Sequence, residues 1–166
     1  MKMENDFTTY INSPIGVISL SFNSKFELTA AEFKDKEQFL PVPNDDGIKE
    51  IENTLKQFEE YFEGKRTQFD LKLAPKGTYF QKKVWAQLQE IQFGKTMTYQ
   101  QMANQLGDPK VIRAAASANG KNPISIIIPC HRVIGSDGSL TGYAGGLHRK
   151  KWLLEHESPV KQQSLF

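Results

Sequence analysis

Between residues 78 and 120 the chain carries three helix starts in succession, which restrict its second half to short helices joined by tight turns. Thr78 and Gln81 are spaced for a capping box, in which the Thr side chain accepts from the backbone N–H three residues on and the Gln side chain reaches back. Phe80, Val84, Leu88 and Ile91 then form one apolar stripe. Thr98 and Gln101 repeat the box, followed by the stripe Tyr99, Met102, Ala103 and Leu106. Gly107-Asp108-Pro109 next supplies a helix-ending Gly, an Asp placed as N-cap, and a Pro at the first helical position, where its missing N–H costs nothing. The helix predicted over 109–119 contains Arg113 and then Ala114-Ala115-Ala116-Ser117-Ala118. Two short helices around a Gly turn make a helix-turn-helix pattern. The second is almost free of bulky side chains and can approach another surface closely, with Arg113 the one long side chain rising from its middle.

The first half follows other rules. Phe7–Asn12, Ile15–Phe22 and Phe26–Phe33 are rich in β-branched and aromatic residues and are separated by Ser13-Pro14 and Asn23-Ser24-Lys25, which predicts an antiparallel meander. After the loop Pro41–Gly47, residues Ile48, Ile51, Leu55, Phe58 and Phe62 recur at helical spacing, and Gly64 ends that helix. Ala74-Pro75-Lys76-Gly77 interrupts the pattern and marks a boundary. The expected fold class is α+β: a sheet with a helix over 1–75, a mostly helical domain over 76–157, and a loose tail over 158–166.

The formal net charge of +2 conceals an asymmetry. Residues 1–75 carry 9 Lys/Arg against 14 Asp/Glu, a net of −5, whereas 76–166 carry 12 against 5, a net of +7. Only the second half could meet a polyanion favourably. No stretch resembles a signal peptide or approaches the roughly 20 apolar residues of a membrane span, and one cysteine suits a reducing compartment, so a cytoplasmic location is expected.

That cysteine, Cys130, lies at the end of the run Ile126-Ile127-Ile128-Pro129, which predicts a strand over 124–128, and His131 and Arg132 follow it directly. Alone, it can form neither an internal disulfide nor a multi-thiolate metal site. An unassisted thiol is only a few per cent thiolate at neutral pH, so a neighbouring base or cation is needed, and His131 and Arg132 are the candidates. Adjacent strand residues point to opposite faces, so contact between Cys130 and His131 requires a turn at Pro129 or a bridging water. His131 also needs a partner to fix its tautomer, which Glu155 or Glu157 on the final helix, Leu147–Glu157, could supply.

Pro129-Cys130-His131-Arg132-Val133 resembles the active-site signature of the O6-alkylguanine-DNA alkyltransferases. Tyr99-Gln100-Gln101-Met102-Ala103, Gly107-Asp108-Pro109-Lys110 and Arg113-Ala114 are similar to that family's helix-turn-helix, and Asn122-Pro123 to its hinge. Tyr143-Ala144-Gly145-Gly146-Leu147 and Trp152-Leu153-Leu154-Glu155-His156-Glu157 resemble its pocket loop and closing helix. The elements run in family order across 78–157. Residues 1–75 resemble only its ribonuclease-H-like sheet and helix.

The resemblance implies a direct-reversal DNA repair protein that binds duplex DNA through the minor groove and flips O6-alkylguanine into a pocket, with O4-alkylthymine as a further candidate lesion. Cys130 would attack the alkyl carbon and keep the alkyl group, since a thioether is not readily hydrolysed. His131, through a water and oriented by Glu157, would take the thiol proton. Tyr99 would protonate the leaving guanine, and Asn122 would brace the turn before the active-site segment. Arg113 would fill the space left by the flipped base. Gln100, Asp108, Ala114 and Ser136, with Tyr99, occupy DNA-contact positions. Asn119, Ser125, Val133, Tyr143, Ala144 and Gly145 would form the substrate pocket. A small-residue helix suits a minor groove only about 6 Å wide. No cofactor and no metal are implied, because the cysteines of the structural zinc site in some relatives are missing, and a monomer is expected.

Two departures stand out. Asp108 replaces the Asn common in relatives; it caps equally well but repels a phosphate. Asn119 and Ser125 predict a roomier pocket that accepts larger alkyl groups. A non-catalytic lesion-binding protein of the same fold is the nearest rival and lacks the cysteine. A helix-turn-helix regulator would carry base-reading Arg, Asn or Gln on its recognition helix, and a Cys-His hydrolase would turn over.

Overall fold

The meander expected at the start of the chain forms three strands, β1 (Phe7–Ser13), β2 (Gly16–Phe22) and β3 (Leu28–Lys34), in the order β1-β2-β3. The computed structural model describes residues 6–35 and 43–159. Ser13 pairs with Gly16 across the first turn, and the β2–β3 register shifts at Ser21/Phe22, so that Phe22 faces Leu28. Helix α1 (Lys49–Phe62) starts one residue later than the spacing predicts, with Ile48 as its cap. Its buried face comprises Ile51, Thr54, Gln57, Phe58 and Tyr61 and is rotated from the expected stripe, so Leu55 and Phe62 are only half-buried. Phe69 explains the rotation: its ring lies 5.2 Å from that of Phe58 and 5.5 Å from that of Tyr61. Gln57 is buried because the backbone of Asp70 satisfies both ends of its amide, at 3.1 and 2.8 Å. The expected loop over 41–47 and tail over 158–166 lie partly outside the described residues.

The chain divides into two compact units, one running to Lys76 and including Pro123–Ser125, the other formed by Gly77–Asn122 and the residues from Ile126 onward. The three-residue return to the first unit corrects an expectation. The apolar run Ile124–Ile128 is not a strand. Ile124 makes a single parallel bridge with Ala31, whose N–H donates to the Pro123 carbonyl (2.9 Å) and whose carbonyl accepts from Ser125 N–H (2.9 Å). The chain then turns, and Ile126 takes φ of +73°, a left-handed conformation that a β-branched residue rarely adopts. Pro123 and Pro129 bracket the stretch, and neither offers an N–H to a ladder.

Both capping boxes of the second unit are present. Thr78 caps α2 (Tyr79–Leu88) and Thr98 caps α3 (Tyr99–Gln105), each with its Gln reaching back. Asp108 accepts from Lys110 N–H (2.9 Å), but the turn that it caps, Pro109–Val111, is 3-10, and the regular helix α4 spans Ile112–Gly120. The indole N–H of Trp85 donates to the Ala118 carbonyl (2.9 Å) and ties α2 to α4. The short strand near the cysteine lies after it: β5 (Val133–Ile134) pairs in parallel with β4 (Met97–Thr98). Helix α5 (Leu147–Glu157) closes the unit.

Gly77 sits where a side chain cannot. A Cβ there would stand 2.7 Å from Cζ3 of Trp85 and nearer still to Cη2, inside contact distance. Gly77→Ala is therefore expected to destabilise the protein by about 1–3 kcal/mol through displacement of Trp85. Urea denaturation followed by tryptophan fluorescence measures this, and an unchanged midpoint would contradict it.

Candidate active site

Pro129 ends the apolar run, and Cys130–Arg132 close one 3-10 turn in which Arg132 N–H donates to the Pro129 carbonyl (3.0 Å). Successive side chains on such a turn fan round its axis instead of alternating. His131 and Arg132 can thus both meet Glu157, the last residue of α5. His131 Nε2 lies 2.8 Å from Glu157 Oε2. Arg132 donates Nε–H to Oε1 (2.7 Å) and one terminal N–H to Oε2 (3.1 Å), and its other terminal nitrogen donates to the Ile91 carbonyl (2.6 Å). Gly94, at φ +81°, lets the chain pass this corner, since a Cβ there would lie 3.1 Å from the Glu157 carbonyl oxygen. Glu155 remains half-buried, so of the two glutamates it is Glu157 that meets the imidazole.

Burial alone would raise the Glu157 carboxyl, but His131 beside it and the paired Arg132 hold it well below the usual carboxylate range. His131 is wholly buried, and that burial lowers its pKa against the pull of Glu157, while the positive charges of Arg132 and Lys150 act in the same direction as burial. The carboxylate charge is already matched by Arg132, so the imidazole stays neutral. A carboxylate only accepts, which assigns the proton to Nε2 and leaves the lone pair on Nδ1. Nδ1 is buried and has no hydrogen-bond partner among the described residues.

Cys130 is 6% exposed. Burial pushes its thiol up; a hydrogen bond from Asn122 and the positive charge of Lys150 pull it back only in part. At rest it is a thiol, and a base must take its proton. The sequence offered Arg132 as the neighbouring cation, but Arg132 is committed to Glu157 and Ile91, and the cation acting on the sulfur is Lys150. Asn122 also donates to the Ile128 carbonyl (2.7 Å), and Asn119 to the Cys130 carbonyl (3.4 Å).

Beside this turn lies an open pocket of 510 Å³ lined by residues that include Tyr99, Arg113, Asn119, Thr141, Gly142 and Tyr143. Asn119 and Tyr143 are the two expected pocket residues that line it. Val133 is fully buried against Met97 in the strand pair, Ala144 is exposed in the loop before α5, Gly145 is half-buried and accepts from Arg149 (3.0 Å), and Ser125 lies on the edge of β3. The Tyr99 hydroxyl donates to the Thr141 carbonyl (3.4 Å), and burial raises its pKa, so it holds its proton at neutral pH. Thr141, Gly142 and Lys150 were not anticipated from the sequence.

On α4, Arg113 and Ala114 are exposed, and Arg113 makes no ion pair among the described residues. Gln100 donates to Asn104 (3.1 Å), the Asp108 carboxylate is occupied by its cap, and Ser136 is exposed in the Gly135–Ser139 turn. Among the described residues no group of three or more His, Cys, Asp or Glu could hold a metal, and no helix is long and apolar enough to cross a membrane.

Residues 79–159 match the family model for the DNA-binding domain of 6-O-methylguanine DNA methyltransferase, and residues 7–75 match that for its ribonuclease-like domain. A methylated-DNA–protein-cysteine methyltransferase of Methanosarcina barkeri is 50% identical over 149 residues, covering 89% of this chain and 94% of its own length. One from Shigella flexneri is 42% identical over 158 residues, covering 89% and 92%. Among solved structures, Mycobacterium tuberculosis O6-methylguanine methyltransferase superposes with a TM-score of 0.80 at 40% identity, over 92% of each chain. The same organism's OGT in complex with DNA gives 0.79 at 40% identity, over 92% of this chain and 94% of that one.

The buried pair predicts two acid transitions of opposite origin to a simple surface titration. His131 titrates lower in the folded state than the ordinary value near ~6.5, so the unfolded chain takes the proton first and stability falls as pH drops below that value. Glu157 is likewise depressed, so its contribution is present above about 4.3 and is lost only as pH falls further. Urea midpoints from pH 8 to 3 should decline in these two windows. His131→Gln should abolish the upper decline and keep the lower one; a slope that survives in that variant would overturn the assignment.

Proposed function

The chain belongs to the 6-O-methylguanine DNA methyltransferase family, and on that premise we propose that it repairs duplex DNA by moving the alkyl group of a flipped O6-alkylguanine irreversibly onto Cys130. One observation carries the assignment of roles: Cys130 and His131 share one buried 3-10 turn, His131 Nε2 lies 2.8 Å from Glu157 Oε2, and Nδ1 has no hydrogen-bond partner among the described residues. Nδ1 takes the Cys130 proton through a water as the sulfur attacks the alkyl carbon in line. The carbon–oxygen bond breaks, its electron pair passes into the guanine ring, and the Tyr99 hydroxyl protonates a ring nitrogen. The imidazolium that forms is stabilised by the Glu157 carboxylate.

Asn122 braces the turn through the Ile128 carbonyl and supports the developing thiolate. The 510 Å³ pocket beside Tyr99 and Tyr143 takes the extrahelical base, because an O6 substituent inside the stack is out of reach. Arg113, exposed on α4 and in no ion pair among the described residues, fills the gap left in the duplex. The methyl-sized side chains of Ala114 and its neighbours let α4 enter a minor groove, where contacts to the backbone dominate. Asp108 contributes a cap and no phosphate contact. Asn119 lines the pocket in place of the bulkier apolar residue of some relatives, and on this reading it leaves room for larger alkyl groups. A cytoplasmic setting belongs to the same reading, since a lone thiol must stay reduced to act.

Incubation with a duplex oligonucleotide containing O6-methylguanine should add one methyl group to the intact protein, mapped to Cys130 by peptide mass spectrometry and absent in Cys130→Ser. Tight binding with unchanged mass would favour the non-catalytic lesion binder. Arg113→Ala should slow transfer from duplex DNA by about tenfold or more, the scale of unstacking one base, while leaving reaction with free O6-benzylguanine near the wild-type rate. Equal losses on both substrates would remove Arg113 from the flipping step.

A further inference from the structure

We propose that Asn119 determines which base the pocket accepts, its side-chain oxygen taking a hydrogen bond from the 2-amino group of the flipped O6-alkylguanine. The inference rests on the proposed transfer from that base to Cys130. Asn119 lies near the end of α4, is 3% exposed, and lines the 510 Å³ pocket together with Tyr99 and Tyr143. Its Nδ2 donates to the Cys130 carbonyl (3.4 Å) and to the oxygen of the Tyr99 hydroxyl. Both amide hydrogens are thereby used. These contacts fix the orientation of the amide, because the flipped alternative would set its oxygen against the Cys130 carbonyl, one acceptor facing another. Oδ1 is left buried, with no hydrogen-bond partner among the described residues.

A buried amide oxygen without a donor is destabilising, and folded chains rarely keep one. At the wall of a binding pocket, the missing donor is one that a ligand brings. The chemistry of the lesion restricts what that donor is. Alkylation at O6 takes the proton from N1, so the 2-amino group carries the only N–H bonds left on the base. Both nitrogens of the six-membered ring flank the carbon that bears this amino group. Tyr99 protonates one of them in the proposed reaction, and Asn119 is bonded to the Tyr99 hydroxyl, so the amino group arrives beside Asn119. The hydroxyl must leave the Thr141 carbonyl (3.4 Å) to reach the ring, and its departure lets the amide turn toward the base. A base without the amino group would leave Oδ1 unpaired, and a site built to bond an N–H discriminates strongly against an analogue that lacks it. Asn119 neither gains nor loses a proton. Its contact is made on binding and persists through the transfer, so it acts more on affinity than on the chemical step.

Free O6-benzylguanine and O6-benzylhypoxanthine differ only in the 2-amino group, and neither has to be flipped, so their single-turnover reactions with Cys130 isolate the contact. At subsaturating concentration the wild type should react about tenfold faster with the first. Asn119→Leu, which has no acceptor, should reduce that preference by about fivefold, mainly through the half-saturating concentration and less through the limiting rate. Asn119→Asp, which keeps an oxygen at this position, should retain it. Matched duplexes carrying O6-methylguanine or O6-methylhypoxanthine should show the same change in ratio. Equal wild-type rates on the two free bases overturn the proposal without any variant. A Leu variant slowed alike on both would show that Asn119 only anchors the turn through the Cys130 carbonyl, and would overturn it as well. If the Leu variant does not fold by circular dichroism, Asn119→Ala, which suits a helix, takes its place. Alkylation of Cys130 that is blind to the 2-amino group would leave the proposed function standing. No alkylation of Cys130 by any of the four substrates would refute the proposed function and this inference with it.

Discussion

The carboxylate of Glu157 is the charge around which the second unit is organised. It takes two hydrogen bonds from Arg132 and one from His131, and a further Arg132 nitrogen holds the Ile91 carbonyl. One buried anion thereby joins the end of α5, the turn that carries Cys130, and the segment after α2. Leaving any member unpaired would strand a charge in the interior, at a cost on the order of 3–5 kcal/mol. The clamp also decides chemistry at a distance. Since Arg132 already neutralises Glu157, the imidazole has no need to be charged, and its tautomer follows from what the carboxylate can accept.

In the proposed reaction the groups that take part are all neutral before the lesion arrives. Burial favours the protonated form of Cys130 and of Tyr99 and the deprotonated form of His131. A permanently ionised thiolate would be open to oxidants and stray electrophiles. A thiol that ionises only when a base accepts its proton is protected until the substrate is in place. The alkylated product of that proposal would be a neutral thioether, to which the same surroundings offer no route back.

Local patterns in the sequence made several elements legible. The two capping boxes set the starts of α2 and α3 to the residue, because a cap is a contact between neighbours in the chain. Asp108 and Pro109 were readable for the same reason, although the turn they open is 3-10. The pairing of His131 with a glutamate on the last helix was visible as a choice between two residues, and packing chose Glu157. Features set by distant partners were not legible. The apolar run before Cys130 looks like a strand, yet Pro123 and Pro129 and the bridge to Ala31 break it into turns. The buried face of α1 was misplaced because Phe69, outside the helix, decides which side is covered. Lys150 lies in the run His148-Arg149-Lys150-Lys151, which reads as a solvated face; only the fold shows that Arg149 and Lys150 are both buried.

If α4 enters the groove as proposed, its plainness has a consequence for how the protein would find its target. A helix that presents Arg113 amid methyl groups offers nothing that tells one intact base pair from another. Every position on the genome is then an equally good resting place, and selectivity cannot come from where the protein stops. It must come from how long an extruded base remains in the pocket before it swings back, compared with how quickly the thiol can act. On this reading the fidelity of the repair is a ratio of two rates, and the helix that touches the DNA enters neither as a reader of sequence.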